Sequence, residues 1–301
     1  MDPILLLLAT LDGIAYAALV FLVAVGLTLI FGVMRILNVA HGAFYAIGGY
    51  AAASLVLSIS DADFSPWLSF PALLVSAAGI GAALGLVIER FLLRHIYAKE
   101  EVLQLLVTFA AFMILEDVQR LVWGVQPYSA SDPVRLLGTV DVMGIPYNAY
   151  QIILLPVIAV LVLLGLRWFL RRTLSGKVIT AVTEDRETAI AMGIDARKVF
   201  TVTFVIGAIL AALGGALASP TTAIQLGLGA EMIVLSFAVV ATAGLGQVEG
   251  AALTALLIGL GRSFAVYLVP ELDVLIPYMI MVLVLLFRPQ GLFGVAEKRR
   301  I

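Results

Sequence analysis

Long unbroken apolar runs dominate this sequence, and no other feature limits its fold so severely. A helix that crosses about 30 Å of hydrocarbon at about 1.5 Å per residue needs about 20 mostly apolar residues. Such runs are read over Ile4–Phe31, Leu37–Ile59, Trp67–Leu93, Val102–Trp123, Ile152–Phe169, Val199–Ser219, Ala251–Val269 and, more briefly, Leu275–Phe287. Met232–Leu245 is short and is read as either a crossing or a re-entrant segment. Eight or nine segments follow, so the fold class expected is an all-α polytopic membrane protein forming a single transmembrane domain over residues 1–301. The runs are continuous rather than alternating at period two, which argues against a transmembrane barrel. Met1-Asp2-Pro3 carries no basic stretch, so the first run is expected to remain as a span rather than act as a cleaved signal.

Composition agrees: 62% of residues are hydrophobic and 13% charged, against about 45–50% and about 25% in soluble domains. A formal charge of −2 gives no reason to expect nucleic-acid binding. The absence of cysteine removes disulfides, thiolate metal sites and cysteine nucleophiles.

Basic residues near span ends set the orientation. Arg90, Arg94, His95 and Lys99 form one cluster. Arg167, Arg171, Arg172, Lys177, Arg186, Arg197 and Lys198 fill or border the polar stretch 171–198, and Lys298, Arg299 and Arg300 end the chain. The 60–65 turn carries only acids, and the 124–147 loop has Arg135 as its one basic residue. Placing the basic regions in the cytoplasm closes the parity when 232–245 crosses, and puts the N-terminus outside. Gly81/Gly85, Gly246/Gly250 and Gly207/Ala211/Gly215 have the small-xxx-small spacing that lets helices pack closely in lipid, although a chain with 27 glycines produces such spacings by chance as well.

Several chemistries find no support. There is no P-loop, since Ser175-Gly176-Lys177 lacks the upstream glycine. There is no HExxH, no nucleotide-binding βαβ context and no paired catalytic set, so the chain is expected to be neither an enzyme nor a metal protein. Charges at membrane depth are functional suspects by default. Glu116 and Arg120 are read as a local ion pair four residues apart, Asp12 as facing interfacial water, Glu231 and Glu249 as interfacial, and Arg262 as lacking an obvious partner. No residue is assigned to solute binding.

Two stretches are more informative. After the first span come Asn38, His41 and Gly42: Asn38 is expected to cap the next helix, His41 to lie in its first turn, and Gly42 to permit close packing. In the loop 171–198, residues 181–195 read as a short helix. Thr183 is its expected N-cap, with Glu184, Asp185 and Glu187 in the first turn, Ala189, Ile190 and Met192 as its apolar surface, and Gly193 as its stop. Its acidity points to a protein partner rather than to anionic lipid.

These stretches carry a resemblance to the inner-membrane permeases of branched-chain amino-acid ABC transporters. It runs through GLTLIFGVMRILNVAHGAFYAIGGY (26–50), AVTEDRETAIAMGID (181–195), TFVIGAILAALGGAL (203–217), AVVATAGLGQVEGA (238–251) and LFRPQGLFG (286–294), over nearly the whole chain. The resemblance implies a multi-pass protein of a bacterial-type inner membrane. It implies an importer of two permease chains, identical or different, two cytoplasmic ATP-binding subunits and a periplasmic solute-binding protein. It also implies ATP in the partners and no cofactor in this chain. Glu184, Asp185, Ala189 and Gly193 would then belong to the coupling helix seated on the ATPase. Similar chains commonly have Gly-Gly-x-Gly where this one has Ala243-Gly244-Leu245-Gly246. Urea and short-amide permeases are close relatives and form the alternative. A self-sufficient secondary transporter or channel would need coupling-ion ligands that the sequence does not gather.

Overall fold

A computed structural model describes residues 3–294; the basic residues Lys298, Arg299 and Arg300 lie outside them. Six helices are long and apolar enough to cross a membrane. They belong to α1 (Pro3–Met34), α2 (His41–Asp61), α3 (Ser69–Phe91), α6 (Leu155–Arg172), α9 (Ala196–Ala218) and α11 (Val248–Leu268). To these the fold adds α4 (Glu101–Trp123), which equals α9 in length, and the shorter apolar α10 (Leu228–Ala243) and α12 (Leu275–Phe287). Between α4 and α6 stand α5 (Asp132–Leu137) and a hairpin of β1 (Thr139–Val142) and β2 (Ile145–Asn148), while α7 (Leu174–Glu184) and α8 (Arg186–Ala191) occupy the polar stretch. The hairpin qualifies the all-α expectation. Its two-residue turn, Met143-Gly144, has both φ angles positive, as a turn matching strand twist requires.

Glycine contacts give the packing and the direction of each helix. A Cβ on Gly13 would meet Leu260, one on Gly259 would meet Ala17, and Gly32 abuts Gly246, so α1 and α11 run antiparallel. Gly26 against Gly207 and Gly214 against Val23 set α9 antiparallel to α1, and Gly81 against Ile209 with Gly85 against Val205 set α3 antiparallel to α9. Arg167 and Arg171, near the end of α6, pair with Glu249 at the start of α11, at 3.4 and 2.9 Å. The basic clusters at 90–99 and 167–198 therefore gather at one end of the bundle, and α1 begins at the other. Gly81, Gly85, Gly207 and Gly215 are genuine contact points. Gly246/Gly250 is not a helix-face motif, because Gly246 has φ +84° and lies before α11 begins.

Two crossings are interrupted. The span expected over Leu37–Ile59 does not begin as a helix: Arg35, with φ 57°, ends α1, residues 35–40 turn back into the bundle, and α2 starts only at His41. The His41 Nε2–H donates to the Val23 carbonyl at 3.0 Å, about 17 Å before the end of α1. Residues 219–227 do the same from the opposite end, and α10 is the helical remainder of that crossing. In lipid every backbone polar group needs a protein partner, and both breaks have one. The Thr108 hydroxyl accepts from Val39 N–H at 3.3 Å and donates to the Leu37 carbonyl at 3.2 Å. Tyr128 and Ile224 exchange backbone hydrogen bonds of 2.9 and 2.7 Å. The beginnings of α2 and α10 meet where Gly42 faces Gly229. Met232–Leu245 thus contributes to a broken crossing, not to a separate hairpin dip.

Asn38 does not cap α2. The position before the helix is Ala40, without a side-chain cap bond, while Asn38 is fully buried with neither side-chain polar atom partnered. The cap fails because two further residues of backbone, Val39 and Ala40, separate Asn38 from the first helical turn. His41 opens the helix and Gly42 makes the close contact, both as expected.

Candidate functional site

Away from the basic end, charged and phenolic side chains from separate elements converge on a cavity of about 450 Å³, a size in the range of small-molecule sites. Arg262 lies fourteen residues into α11, about 21 Å from the basic end. Its guanidinium carbon stands 4.2 Å over the Tyr16 ring of α1, and one nitrogen reaches Asp273 at 3.4 Å. Tyr16 and Arg262 also line an adjoining space of about 260 Å³ that reaches Asp12. Glu231, in the first turn of α10, lines the larger cavity together with Tyr45 and Tyr278 and has no cation within 4 Å among the described residues. Leu19, Leu228, Met232 and Leu235 supply apolar walls. The arrangement offers a cation, an acid and an aliphatic surface within one cavity.

Sequence alone left these groups scattered. Arg262 has two partners, Tyr16 and Asp273, that lie on other elements. Asp12 is half-buried on a cavity wall and has partners besides water: the Tyr267 hydroxyl donates to it at 2.6 Å and the Tyr147 hydroxyl of β2 donates as well. Burial first, then the bond to this carboxylate, pushes the Tyr147 phenol above its ordinary range. These bonds tie the hairpin to α1 and α11. Glu249 is confirmed at a helix end but is engaged by two arginines. The Glu116–Arg120 pair does not form among the described residues, as an i,i+4 pair worth only about 0.2–0.5 kcal/mol does not hold both side chains in place.

At the basic end the short helix read over 181–195 is instead divided: residues 181–184 end α7 and α8 covers Arg186–Ala191. Thr183 belongs to α7, its hydroxyl donating to the Ile179 carbonyl at 2.9 Å, so it is not a cap. Asp185 is the N-cap of α8: its carboxylate accepts from Thr188 N–H at 3.0 Å and from the Thr188 hydroxyl at 2.8 Å, which satisfies an amide the first turn would otherwise leave without a partner. Gly193, with φ +88°, ends the turn as expected, passing hydrogen bonds from its own N–H to Ile190 and from Ile194 N–H to Ala189. Glu184 and Glu187 are exposed. Ala189 packs inward, whereas Ile190 is 49% and Met192 80% exposed. Arg186 stacks 5.0 Å over Phe200, Phe200 meets Tyr97 edge-on at 5.1 Å, and the Tyr97 hydroxyl donates to buried Glu89 at 2.6 Å. Burial and that carboxylate raise the Tyr97 phenol. The exposed turn is thereby tied to α3 and α9.

The family described as branched-chain amino acid transport system / permease component matches residues 9–285. The chain is 27% identical over 299 residues to the high-affinity branched-chain amino acid transport system permease protein BraD of Pseudomonas aeruginosa, covering 96% of each. It is 26% identical over 298 residues to the protein of the same description, LivH, of Escherichia coli K12, again over 96% of each. A solved structure, PsaBC from Streptococcus pneumoniae in complex with Fab, aligns with 93% of this chain and 91% of its own at TM-score 0.47 and 14% identity, too distant to inform any residue.

Proposed function

The chain belongs to the family of permease components of branched-chain amino acid transport systems, and from that premise we propose that it is a membrane subunit of an ATP-driven importer of branched-chain amino acids. Two such permeases, identical or different, would form the pathway; an external solute-binding protein would deliver the amino acid at the end where the cavity lies. Two cytoplasmic ATP-binding subunits would dock at the basic end and hold the ATP.

The observation that carries the coupling part of this reading is the α8 turn. It is short, capped by Asp185, stopped by Gly193, and presents Ile190 and Met192 to solvent beside exposed Glu184 and Glu187. An apolar tip with an acidic rim suits a groove in a basic-rimmed protein partner. Closure of the ATPases would displace α8, and Arg186, Phe200, Tyr97 and Glu89 would carry that displacement to α9 and α3. Those helices touch α1 and α2 through glycine and alanine backbones, so small shifts between two packings suffice for alternating access.

The test is co-expression with the ATP-binding subunit. The two are expected to co-purify, with ATP hydrolysis stimulated by solute-loaded binding protein. A chain that elutes without any ATPase and leaves hydrolysis by the added subunit unchanged would defeat the assignment.

A further inference from the structure

We propose that the cavity around Arg262 is a transit site that reads the zwitterionic head of an aliphatic amino acid. This assignment rests on the importer reading and names the site where the solute is held.

The substrate carboxylate binds Arg262 and its ammonium group binds Glu231, while the aliphatic side chain lies on Leu19, Met232 and Leu235. Arg262 is fit for this because its donors are mostly free. A guanidinium has five N–H donors in a planar fork, yet it has one carboxylate contact, at 3.4 Å, and an aromatic face against Tyr16. At this depth in a membrane a guanidinium held by one 3.4 Å ion pair and by the Tyr16 side chain still has donors to spare, and a carboxylate is the group that a guanidinium fork matches bidentately. Glu231 completes the complement: it lines the same cavity and lacks a cation. It lies in the first turn of α10, on the wall of the cavity that Arg262 also lines.

A structural role alone would need only the Arg262–Asp273 pair. It would not need a second, unpaired acid facing a cavity with aliphatic walls. Urea and short amides can hydrogen-bond to both groups, but they neutralise neither charge and bring no side chain to the aliphatic walls. The cavity chemistry therefore selects the zwitterion over the amide.

The chain has no cysteine, so a single Met232→Cys in the assembled importer reports on this cavity. Labelling by a membrane-impermeant maleimide added from the binding-protein side is measured with and without L-leucine. At a leucine concentration about tenfold above half-protection, labelling is expected to slow about tenfold. Isopentylamine, which lacks the carboxylate, isovalerate, which lacks the ammonium, and urea are expected to leave the rate unchanged. Adding Arg262→Gln is expected to abolish protection by leucine. Equal protection by urea or isopentylamine, or no protection by leucine in an importer that still takes up leucine, would overturn the assignment while leaving the importer reading intact. Absence of ATP-driven leucine uptake by the unsubstituted importer would instead overturn the importer reading. The analogue comparison needs no change at Arg262, so it stands even if the Gln variant misfolds.

Discussion

Met192→Asp is expected to release the ATP-binding partner while leaving this chain folded. Met192 is 80% exposed and follows α8 directly, so in the chain alone the substitution removes almost no packing. In the complex the methionine would be desolvated in the partner's groove. Burying such a side chain is worth about 1.5–3 kcal/mol, and a buried carboxylate adds a desolvation cost on top. With about 1.4 kcal/mol per factor of ten, affinity is expected to fall by one to two orders of magnitude or more. Co-purification with the ATP-binding subunit should be lost, and the thermal stability of the isolated chain should not change. Ala189→Asp would not separate these effects, because Ala189 is buried against its own chain. Retention of the partner by Met192→Asp at wild-type strength would remove α8 as the docking element.

Gly42→Ala is expected to damage the fold itself. A Cβ there would sit 2.1 Å from the Gly229 carbonyl oxygen and 2.8 Å from the Ile233 Cβ. The first of these is backbone, so no side-chain rotation relieves it, and the beginnings of α2 and α10 must separate. Overpacking costs roughly 1–3 kcal/mol when side chains can adjust, and this site belongs at or above the top of that range. Gly79→Ala is the matched comparison. Gly79 lies in α3 with nothing within 4 Å of its added Cβ, and removing a glycine from a helix interior gains roughly 0.5–1 kcal/mol. Detergent-purified Gly42→Ala should unfold at a clearly lower temperature than the parent, and Gly79→Ala at the same or a higher one. Ile233→Ala added to Gly42→Ala should restore little, since alanine keeps the Cβ at 2.8 Å and leaves the contact with the Gly229 carbonyl untouched.

The crossings were legible because hydrocarbon imposes a length, and the apolar runs from Ile4 to Phe31 or Val199 to Ser219 meet it within one continuous segment. Direction was legible from the basic residues, which the glycine contacts place at one end. The breaks were not. Leu37 and Val39 are as apolar as their helical neighbours; what unwinds them is the left-handed Arg35 and the hydroxyl of Thr108, seventy residues away in sequence. Asp185 outcompeted Thr183 as a cap because a second helix, α7, already claims Thr183, and one continuous polar loop gives no sign of that division. The cavity was illegible for a related reason. Asp12, Tyr16, Glu231, Arg262 and Asp273 were each visible as polar residues in or beside apolar segments, but their meeting depends on α1, α10 and α11 packing together. The i,i+4 spacing of Asp12 and Tyr16 on α1 was the one local signal, and it marks a face without naming its partner.

The central claim, that this chain moves an aliphatic amino acid only when driven by ATPase subunits, is tested most directly in proteoliposomes. The chain, its permease partner and the ATP-binding subunits are reconstituted with ATP inside the lumen on the side where the ATPases face, and radiolabelled leucine is supplied with the solute-binding protein on the other. Leucine is expected to cross against its gradient only with hydrolysable ATP, and a sodium or proton gradient alone should move none. Uptake driven by an ion gradient in vesicles that contain this chain without ATPase subunits would contradict the account.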